Sequence, residues 1–554
     1  MSRFQWNTKD IREDRDASDS NLSTVSRSSP EVTHLGEWTT SRRELLCFYL
    51  YSIVRFSLFF CTFFPIFYRR PKGNNGLAGF RFGPSQIQNL LYFAGHDLSQ
   101  PPFAKPCSSG SNCVLPFLGH VRNINSIILL TNGICFAIQA VMLLMIGAWA
   151  DYGTWRPNIL IFFTILSVAS SFAWLGIQEP SQWPGGIVLY LLNIISCQCC
   201  FTFWYAAIPG VVRNLPEVQA SADEAKKGLK SPDEHFRFES LARNRIANIS
   251  LAVSSAFEVL ILAIMVGILK AVKSDTSVEN NTKAFNVLLS FCGGVLLLCA
   301  IPWFIVEKRR PGLVLPPGSS LATIGFKQTL FSLRECFRLK QTFLYLVYYF
   351  LMGDALNTAI TVISTLQNSV VSYSTSQLTL LFVVATASQS LGAYLFWLVQ
   401  KQFGISTKRM SLFSVFWILI LTIWGLIGVH TNKIGFKNVW EIWLYQAVFG
   451  LLLCPWYTFS QTMIFEVSPL PQIFLFFSLF SVVGRTSAII GPFVSEAIIS
   501  ASGDNNNMPF AFLFGLAAFS TVFIFMVDVK KSRVECEEFV AAEIGHDVFS
   551  MSTM

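Results

Sequence analysis

The sequence lacks the motifs that carry nucleotide-driven or hydrolytic chemistry. It has no Gly-x-x-x-x-Gly-Lys-Ser/Thr phosphate loop, no Gly-x-Ser-x-Gly elbow and no His-Glu-x-x-His pair. Only six His are present, and no Cys/His spacing resembles a zinc site. We therefore predict that the protein is not an enzyme and that it binds no nucleotide, metal or cofactor.

Charge is also scarce. Only 13% of the residues are charged, whereas 52% are hydrophobic and 52 are Phe. This apolar content exceeds what one or two soluble cores need, and it indicates a polytopic membrane protein. A net charge of +8 suggests nucleic acid in a soluble protein. Here the basic residues lie mostly in short loops between apolar runs, so we expect no nucleic-acid partner.

Twelve apolar runs are long enough to cross a bilayer. They lie at about 44–68, 124–149, 157–177, 185–210, 246–271, 284–306, 343–366, 376–399, 411–429, 441–464, 472–500 and 509–527. Six precede the polar segment around 307–342 and six follow it, which is the layout of a parallel-repeat transporter. The predicted fold class is all-α integral membrane, with twelve transmembrane helices in two six-helix halves.

The runs define the predicted domain organisation. The first 40 residues are rich in Ser, Asp and Arg, and they cannot bury enough surface to fold. The first apolar run begins near Leu45, too far along the chain for a cleavable signal peptide. The predicted segments are a disordered tail 1–42, an N-terminal half 43–306 with an outside loop 69–122 and a cytoplasmic loop 211–245, a linker 307–342, a C-terminal half 343–528 and a tail 529–554.

The distribution of basic residues predicts the orientation. With a cytoplasmic N-terminus, 23 Lys and Arg lie on the cytoplasmic side and 11 on the other side, leaving out the distal N-terminal tail. Both termini are therefore expected in the cytoplasm. The outside loops carry a glycosylation sequon at Asn280 and a candidate disulfide between Cys107 and Cys113.

A short polar turn between spans 2 and 3 is the first candidate for function. Gly147, Asp151, Gly153 and Arg156 lie where one helix leaves the bilayer and the next re-enters. Gly147 allows a close helix approach, and Asp151 suits the positive N-terminal end of a neighbouring helix. This pattern is typical of a transporter's gating loop, and the alternative is a simple polar hairpin.

Polar groups inside the spans are the second set of candidates, because they are costly in lipid and usually face the bundle interior. The candidates for substrate binding or coupling are Asp354, Asn357, Thr358, Thr361, Arg485, Glu258, Arg55 and Gln139.

Span 7 is the richest in such groups. Asp354, Asn357, Thr358 and Thr361 follow the spacing i, i+3, i+4 and i+7, so they share one helical face. This stripe faces either a substrate path, where Asp354 exchanges a proton, or a partner helix or base such as Arg55.

Arg485 lies deep in span 11, and it pairs there either with Glu258 or with a substrate carboxylate. The structural alternative is snorkelling to the membrane surface. We regard the two roles as open at this point.

Several motifs together resemble a known family. They are Cys113-Val-Leu-Pro-Phe-Leu-Gly, Ala150-Asp151-Tyr-Gly153, Phe350 through Thr361 with Thr365-Leu-Gln367, Phe396-Trp-Leu-Val-Gln-Lys401, Glu466-Val-Ser-Pro469, Gly484-Arg-Thr-Ser and Ile490-Gly-Pro492. The chain resembles the autophagy-related vacuolar amino-acid exporters of fungi, a branch of the major facilitator superfamily. The wider superfamily motif usually places its Gly three residues after the Asp and follows it with two basic residues. In this chain, Gly153 comes two residues after Asp151, and only Arg156 follows.

The resemblance implies a carrier of the vacuole membrane that exports neutral amino acids such as leucine to the cytosol during autophagic recycling. Its partners would be amino acids, the lipid bilayer and protons. Two alternatives stay open: a carrier of another small solute such as a sugar or peptide, and a non-transporting membrane receptor or scaffold that uses the loop 211–245 and the tails.

Overall fold

The structure, a computed structural model, describes residues 38–63, 113–272, 278–313, 338–370, 375–431, 433–503 and 505–552, with short pieces between 66 and 97. The contacts reported below lie within one unit, Thr40–Met554. The predicted tail 1–42 falls almost entirely outside the described residues.

The unit is built almost entirely from helices. Those of the N-terminal half are α1 (Arg42–Phe63), α2 (Ile124–Asp151), α3 (Arg156–Ala173), α4 (Trp183–Ala206), α5 (Ile208–Arg213), α6 (Pro216–Lys226), α7 (Pro232–Ala271) and α8 (Val278–Val306). Those of the C-terminal half are α9 (Lys340–Val370), α10 (Thr375–Phe403), α11 (Thr407–Ile427), α12 (Val439–Val448), a π-helical turn (Phe449–Leu453), α13 (Pro455–Val467), α14 (Ile473–Ala501), α15 (Pro509–Met526) and α16 (Val529–Ser552).

Short strands lie in and around the first predicted outside loop, and the first of them falls at the end of the predicted first span, 44–68, because α1 ends at Phe63. They are β1 (Ile66–Phe67), β2 (Phe82–Gly83), β3 (His96–Asp97), β4 (Cys113–Phe117) and β5 (His120–Asn123). β1 pairs with β2, and β4 lies between β3 and β5, all antiparallel.

The helices confirm the predicted fold class. In the described part of the chain, eleven helical segments are long and apolar enough to cross a membrane. The first predicted span corresponds to α1, which is 22 residues long and packs against α7 and α8. Proline helps to begin many helices, because its missing N–H costs nothing in the first turn. It occupies one of the first two positions of α3, α4, α6, α7 and α15.

Two helix pairs make the most extensive contacts between the two halves. α7 packs on α10, and α2 packs on α14. Within the halves, α3 packs on α4 and α8, while α9 packs on α14 and α15. These two pairs are called the seams between the halves below.

Two segments outside the predicted spans are helical. The loop 211–245, for which a solvated linker was expected, is helical over most of its length and buries Glu239 and Arg243. The tail after residue 528 forms α16, which packs against α9 and α13. Its residues Ser532, Cys536 and Phe539 lie at i, i+4 and i+7, so one apolar stripe faces the bundle.

The π-helical turn interrupts span 10 where it meets α10. The N–H of Cys454 bonds to the carbonyl of Phe449 at 2.9 Å, one residue further back than in an α-helix. Gly450 allows the π-helical turn to approach α10 closely, because a Cβ at this position would overlap the Ala385 carbonyl. A Cβ at Gly392 of α10 would in turn overlap the Leu451 carbonyl. The two backbones therefore touch without intervening side chains.

We predict that Gly450→Ala destabilises the protein, since the added methyl group must displace backbone rather than a side chain. Overpacking of this kind costs about 1–3 kcal/mol. The midpoint temperature of unfolding in detergent, monitored by gel filtration, should be lower than that of the unaltered chain. Gly515→Ala is the matched control, because a Cβ at this α15 position meets open space. Equal midpoints for both variants would contradict the close backbone contact.

Candidate functional site

Asp151 lies at the end of α2 and caps the first turn of α14. Its two carboxylate oxygens accept hydrogen bonds from the backbone N–H groups of Phe474 and Leu475, each at 3.0 Å. A carboxylate is stabilised there because the first N–H groups of a helix lack partners and carry partial positive charge. The contact joins the N-terminal half to the C-terminal half. We call the end of the bundle that carries Asp151 the Asp151 face.

Glycines before and after Asp151 allow close packing of this turn against neighbouring segments. Gly147 lets α2 approach α14, because a Cβ there would come within 2.8 Å of the Ser478 Cβ. Gly153 adopts φ +60°, a conformation that favours glycine, and its N–H bonds to the Leu313 carbonyl at 2.9 Å. The chain that follows α8 is thereby paired with the turn. These positions stay predicted gating residues.

A cluster of charges surrounds this turn. Arg156 donates to the Pro311 carbonyl at 3.1 Å and lies 5.1 Å from the centre of the Phe474 ring. Arg310 forms an ion pair with the buried Glu44 at 2.8 Å. Glu307 lines the same small cavity as Arg156 and Arg310. Burial raises the pKa of the Glu307 carboxyl to about 8, although Arg310 acts in the opposite direction.

A second contact between the halves lies at the Asp151 face. Ser240 of α7 and Thr407 of α11 both donate to Glu466 at the end of α13. Asn244 donates to Thr407 at 2.8 Å. The carboxylate of Glu466 is thus held by hydroxyl donors from both halves.

α16 adds an outer connection at the same face. Arg533 donates to Asp233 at 3.0 Å, and its guanidinium lies 3.9 Å from the centre of the Phe236 ring. Asp233 and Phe236 belong to α7, whereas Arg533 follows the C-terminal half. Three sets of contacts therefore hold the halves together at the Asp151 face, and this structure is closed there.

Polar groups also meet across the halves in the middle of the bundle. Arg485 of α14 donates to the amide oxygen of Gln198 on α4. One turn away, Thr202 donates to Ser481 at 3.3 Å. Because α4 and α14 belong to different halves, these contacts must change if the halves move relative to each other.

Aromatic side chains lie beside Arg485. Tyr349 of α9 stacks on Phe480 at 4.0 Å and on Trp456 at 5.6 Å between ring centroids. A Cβ at Gly484 would come within 2.9 Å of the Tyr349 hydroxyl, which places this ring next to the Arg485 segment. A guanidinium next to apolar rings suits a ligand with one anionic end and one apolar end.

The polar stripe of span 7 lies on α9, and its residues contact two neighbouring helices, α14 and α13. Asp354 accepts from the backbone N–H of Gly491 at 2.9 Å and from Thr358 at 3.4 Å. A Cβ at Gly491 would overlap Thr358, so only glycine permits this approach. Asn357 accepts from Tyr457 of α13 at 3.0 Å. Asp354 and Thr358 therefore connect helices within one half, as in the partner-helix alternative.

Pro492 follows Gly491 inside α14 and cannot donate a backbone hydrogen bond, so the helix is weakened at this point. The hydrogen bond from the Gly491 N–H to Asp354 joins α14 to α9 next to this proline. Thr361 lies further along the stripe and donates to the Asn357 carbonyl at 3.0 Å within its own helix.

The remaining candidates are more scattered. Glu258 is 3% exposed and lies on α7 beside the π-helical turn. Gln139 is buried and donates within α2 to the Cys135 sulfur at 3.6 Å. Arg55 belongs to α1, but its side chain lies outside the described residues. Among the described residues, Glu258 does not form the ion pair with Arg485 that was considered from the sequence.

Two predictions for the outside loops remain to be tested. Cys113 is disulfide-bonded. Cys107, its predicted partner, lies outside the described residues, so the pairing stays a prediction. Asn280 lies in the first turn of α8 rather than in a loop. Its glycosylation also stays a prediction.

The sequence predictions missed Gln198, Ser240, Thr407 and Glu466. Glu466 was part of a motif that carried the family resemblance, but it lies at the end of a span and was not singled out. Gln198 and Thr407 are uncharged, and only their positions across the halves distinguish them from other polar residues. Among the described residues, no group of three His, Cys, Asp or Glu is arranged to hold a metal ion.

The helical halves, their two seams and the polar contacts across them define a membrane-transporter fold of the major facilitator type. The proton:xylose symporter XylE has a similar fold, with a TM-score of 0.54, 11% identity and coverage of 88% of this chain and 95% of that chain. The human organic anion transporter MFSD10 matches with a TM-score of 0.51, 14% identity and coverage of 87% and 99%. This chain therefore shares its fold with these two membrane transporters.

The chain belongs to the family described as vacuole effluxer Atg22 like, whose model matches residues 40–537. Autophagy-related protein 22 of Pyricularia oryzae is 23% identical over 553 residues, covering 92% of this chain and 79% of that protein. The protein of the same name from Neurospora crassa is 22% identical over 555 residues, covering 90% and 73%. The family expected from the sequence motifs is confirmed, and the fold is the one expected for its superfamily.

We predict that Asp151→Asn weakens closure of the Asp151 face, because the amide lacks the charge and has one acceptor oxygen where the carboxylate has two. Loss of a helix cap costs about 1 kcal/mol, or roughly a five-fold change in an equilibrium. The readout is labelling by an impermeant maleimide of a Cys introduced at Ala207, which lines the adjacent cavity. Labelling should rise with Asp151→Asn and stay constant with Asp223→Asn, an exposed site on α6. Equal labelling in both would rule out this role.

A second expected outcome concerns Glu307 and pH. Its pKa rises from the ordinary 4.5 to about 8 on folding, so the folded chain binds a proton that the unfolded chain releases between these values. This residue therefore lowers stability as pH rises from 4.5 to about 8. Glu307→Gln should raise the unfolding temperature at pH 9 more than at pH 5, relative to the unaltered chain. The exposed Glu224→Gln is the control. Parallel pH profiles for Glu307→Gln and the unaltered chain would contradict the buried carboxyl.

Proposed function

We propose that this protein exports neutral amino acids, leucine among them, from the vacuole lumen to the cytosol during autophagic recycling. The observation that carries the proposal is the contact of Arg485 with Gln198 between the halves, next to apolar rings. The family described as vacuole effluxer Atg22 like supports the compartment and the direction.

The substrate class follows from the chemistry of this centre. A guanidinium binds a carboxylate through two parallel hydrogen bonds. Tyr349 and Phe480 offer an apolar surface beside it, which suits an aliphatic side chain. Arg485 therefore takes the carboxylate of the amino acid, and the aromatic rings contact its side chain.

The closed Asp151 face corresponds to one state of the transport cycle. The excess of basic residues on that side supports a cytoplasmic Asp151 face, with both termini in the cytoplasm. This structure then corresponds to the lumen-facing state, ready to take up substrate. Substrate binding replaces the contact between Arg485 and Gln198, and the halves then rock open at the Asp151 face.

Asp354 has a positioning role in this cycle. By accepting the N–H of Gly491, it holds α14 next to Pro492, so that the part of α14 that carries Arg485 keeps its direction. Asp354→Asn should therefore slow transport without changing which amino acids are carried.

The test uses the purified full chain in sealed liposomes loaded with labelled leucine. Arg485→Gln should raise KM at least about ten-fold, because a charge-assisted hydrogen bond contributes about 1.5–3 kcal/mol. Arg485→Lys should recover only part of the loss, since an ammonium group lacks the planar fork. Arg409→Gln, an exposed site at the start of α11, is the control and should leave KM unchanged.

The result also separates the proposal from its alternatives. If the folded, unaltered chain moves sugars or peptides but no amino acid, the substrate class is wrong. If it moves no solute at all, the receptor or scaffold interpretation replaces the carrier.

A further inference from the structure

Glu258 is an acid at the seam between the halves. It lies on α7, in the N-terminal half, and is 3% exposed. Leu251, seven residues earlier on the same helical face, packs in one cluster with Ala393 of α10. Ser390 of α10 donates to the Ala252 carbonyl at 2.8 Å, which confirms the close approach of these helices. Glu258 therefore faces the C-terminal half.

A residue next to the π-helical turn lies near this position. Cys454 follows the turn and is close enough to Glu258 for an electrostatic interaction between the two side chains. Its sulfur donates to the side-chain oxygen of Gln389 at 3.3 Å. Single π-helical turns inside α-helices occur frequently at functional sites, because they change which side chains face the interior.

Glu258 has no cation and no hydrogen-bond donor among the described residues. An ionised carboxylate buried without such partners costs several kcal/mol, so the group is neutral while the seam is closed around it. Asp354 differs in this respect, because Gly491 and Thr358 both donate to it. Asp354 also connects two helices of the same half, so rocking of the halves does not change its surroundings.

The surroundings of Glu258 do depend on the relative position of the halves. α7 moves with the N-terminal half, whereas α10 and the π-helical turn move with the C-terminal half. When the halves rock, water gains access to one end of the seam and then to the other. A hydrated carboxylate is stable in its charged form, whereas an enclosed one is not.

We infer that Glu258 is the proton-binding site through which the carrier is coupled to the pH difference across its membrane. The inference rests on the proposed transport of amino acids. In one cycle, the Glu258 carboxylate takes one proton from the acidic side, carries it as a neutral acid while the seam is closed, and releases it to the other side. No other bond is made or broken.

The experiment measures amino-acid and proton movement together. The full chain is reconstituted in liposomes that contain a pH-sensitive dye, and leucine gradients are imposed in the presence of a valinomycin-clamped membrane potential. The unaltered chain should move protons with leucine, and an imposed pH gradient should drive leucine against its own gradient. Glu258→Gln should lose both effects while retaining measurable leucine exchange at equal pH.

Matched variants separate coupling from folding. Glu258→Asp keeps a titratable carboxyl and should recover proton movement in part. Asp354→Asn should still move protons with leucine, and Glu224→Gln, an exposed acid on α6, should match the unaltered chain. Unfolding temperatures in detergent verify that each variant is folded.

The outcomes are distinguishable from failure of the proposed function. If the unaltered chain moves no amino acid, the proposed function itself fails, and the proton site fails with it. If the unaltered chain carries leucine without protons, or if Glu258→Gln still moves protons with leucine, the proton site is wrong while the carrier stands. Loss of proton movement in Asp354→Asn, with retention in Glu258→Gln, would assign the site to Asp354 instead.

Discussion

In a bundle surrounded by lipid, polar side chains find their partners inside the protein, and this constraint determines where the chemistry of this chain lies. The α-helices satisfy most of their backbone groups within themselves, so the few polar side chains can be used between helices. They meet the ends of neighbouring helices, as Asp151 does with α14, or a position next to an internal proline, as Asp354 does at Gly491. The halves and the helices are therefore joined at helix ends and next to an internal proline, where backbone hydrogen bonding within a helix is incomplete.

Properties that depend on local sequence could be predicted. Hydrocarbon thickness sets the length of each span, so the apolar runs corresponded closely to the observed helices. The suitability of Asp151 for the start of a neighbouring helix and the shared face of Asp354 and Thr358 also follow from local sequence, whereas the identity of the helix that Asp151 caps does not. The spacing of Ser532, Cys536 and Phe539 is equally local, but the sequence analysis did not single these residues out.

Properties that depend on helix rotation and tilt could not be predicted. Gln198 and Arg485 are 287 positions apart in the sequence, and nothing local to either residue specifies the other. The same holds for Glu466, whose donors come from α7 and α11. A single sequence shows which groups need a partner. Which partner they obtain depends on packing between helices that are distant in the chain.

The π-helical turn at Phe449–Leu453 contains one residue more than an α-helix would need for the same contacts. Each residue turns an α-helix by about 100°, so the faces of α12 and α13 are offset by roughly that angle. The span therefore behaves as two half-helices whose lipid-facing and inward-facing stripes do not continue from one to the other. A hydrophobic periodicity computed over the whole span averages two different registers, and it underestimates how strictly each half distinguishes its interior side from lipid.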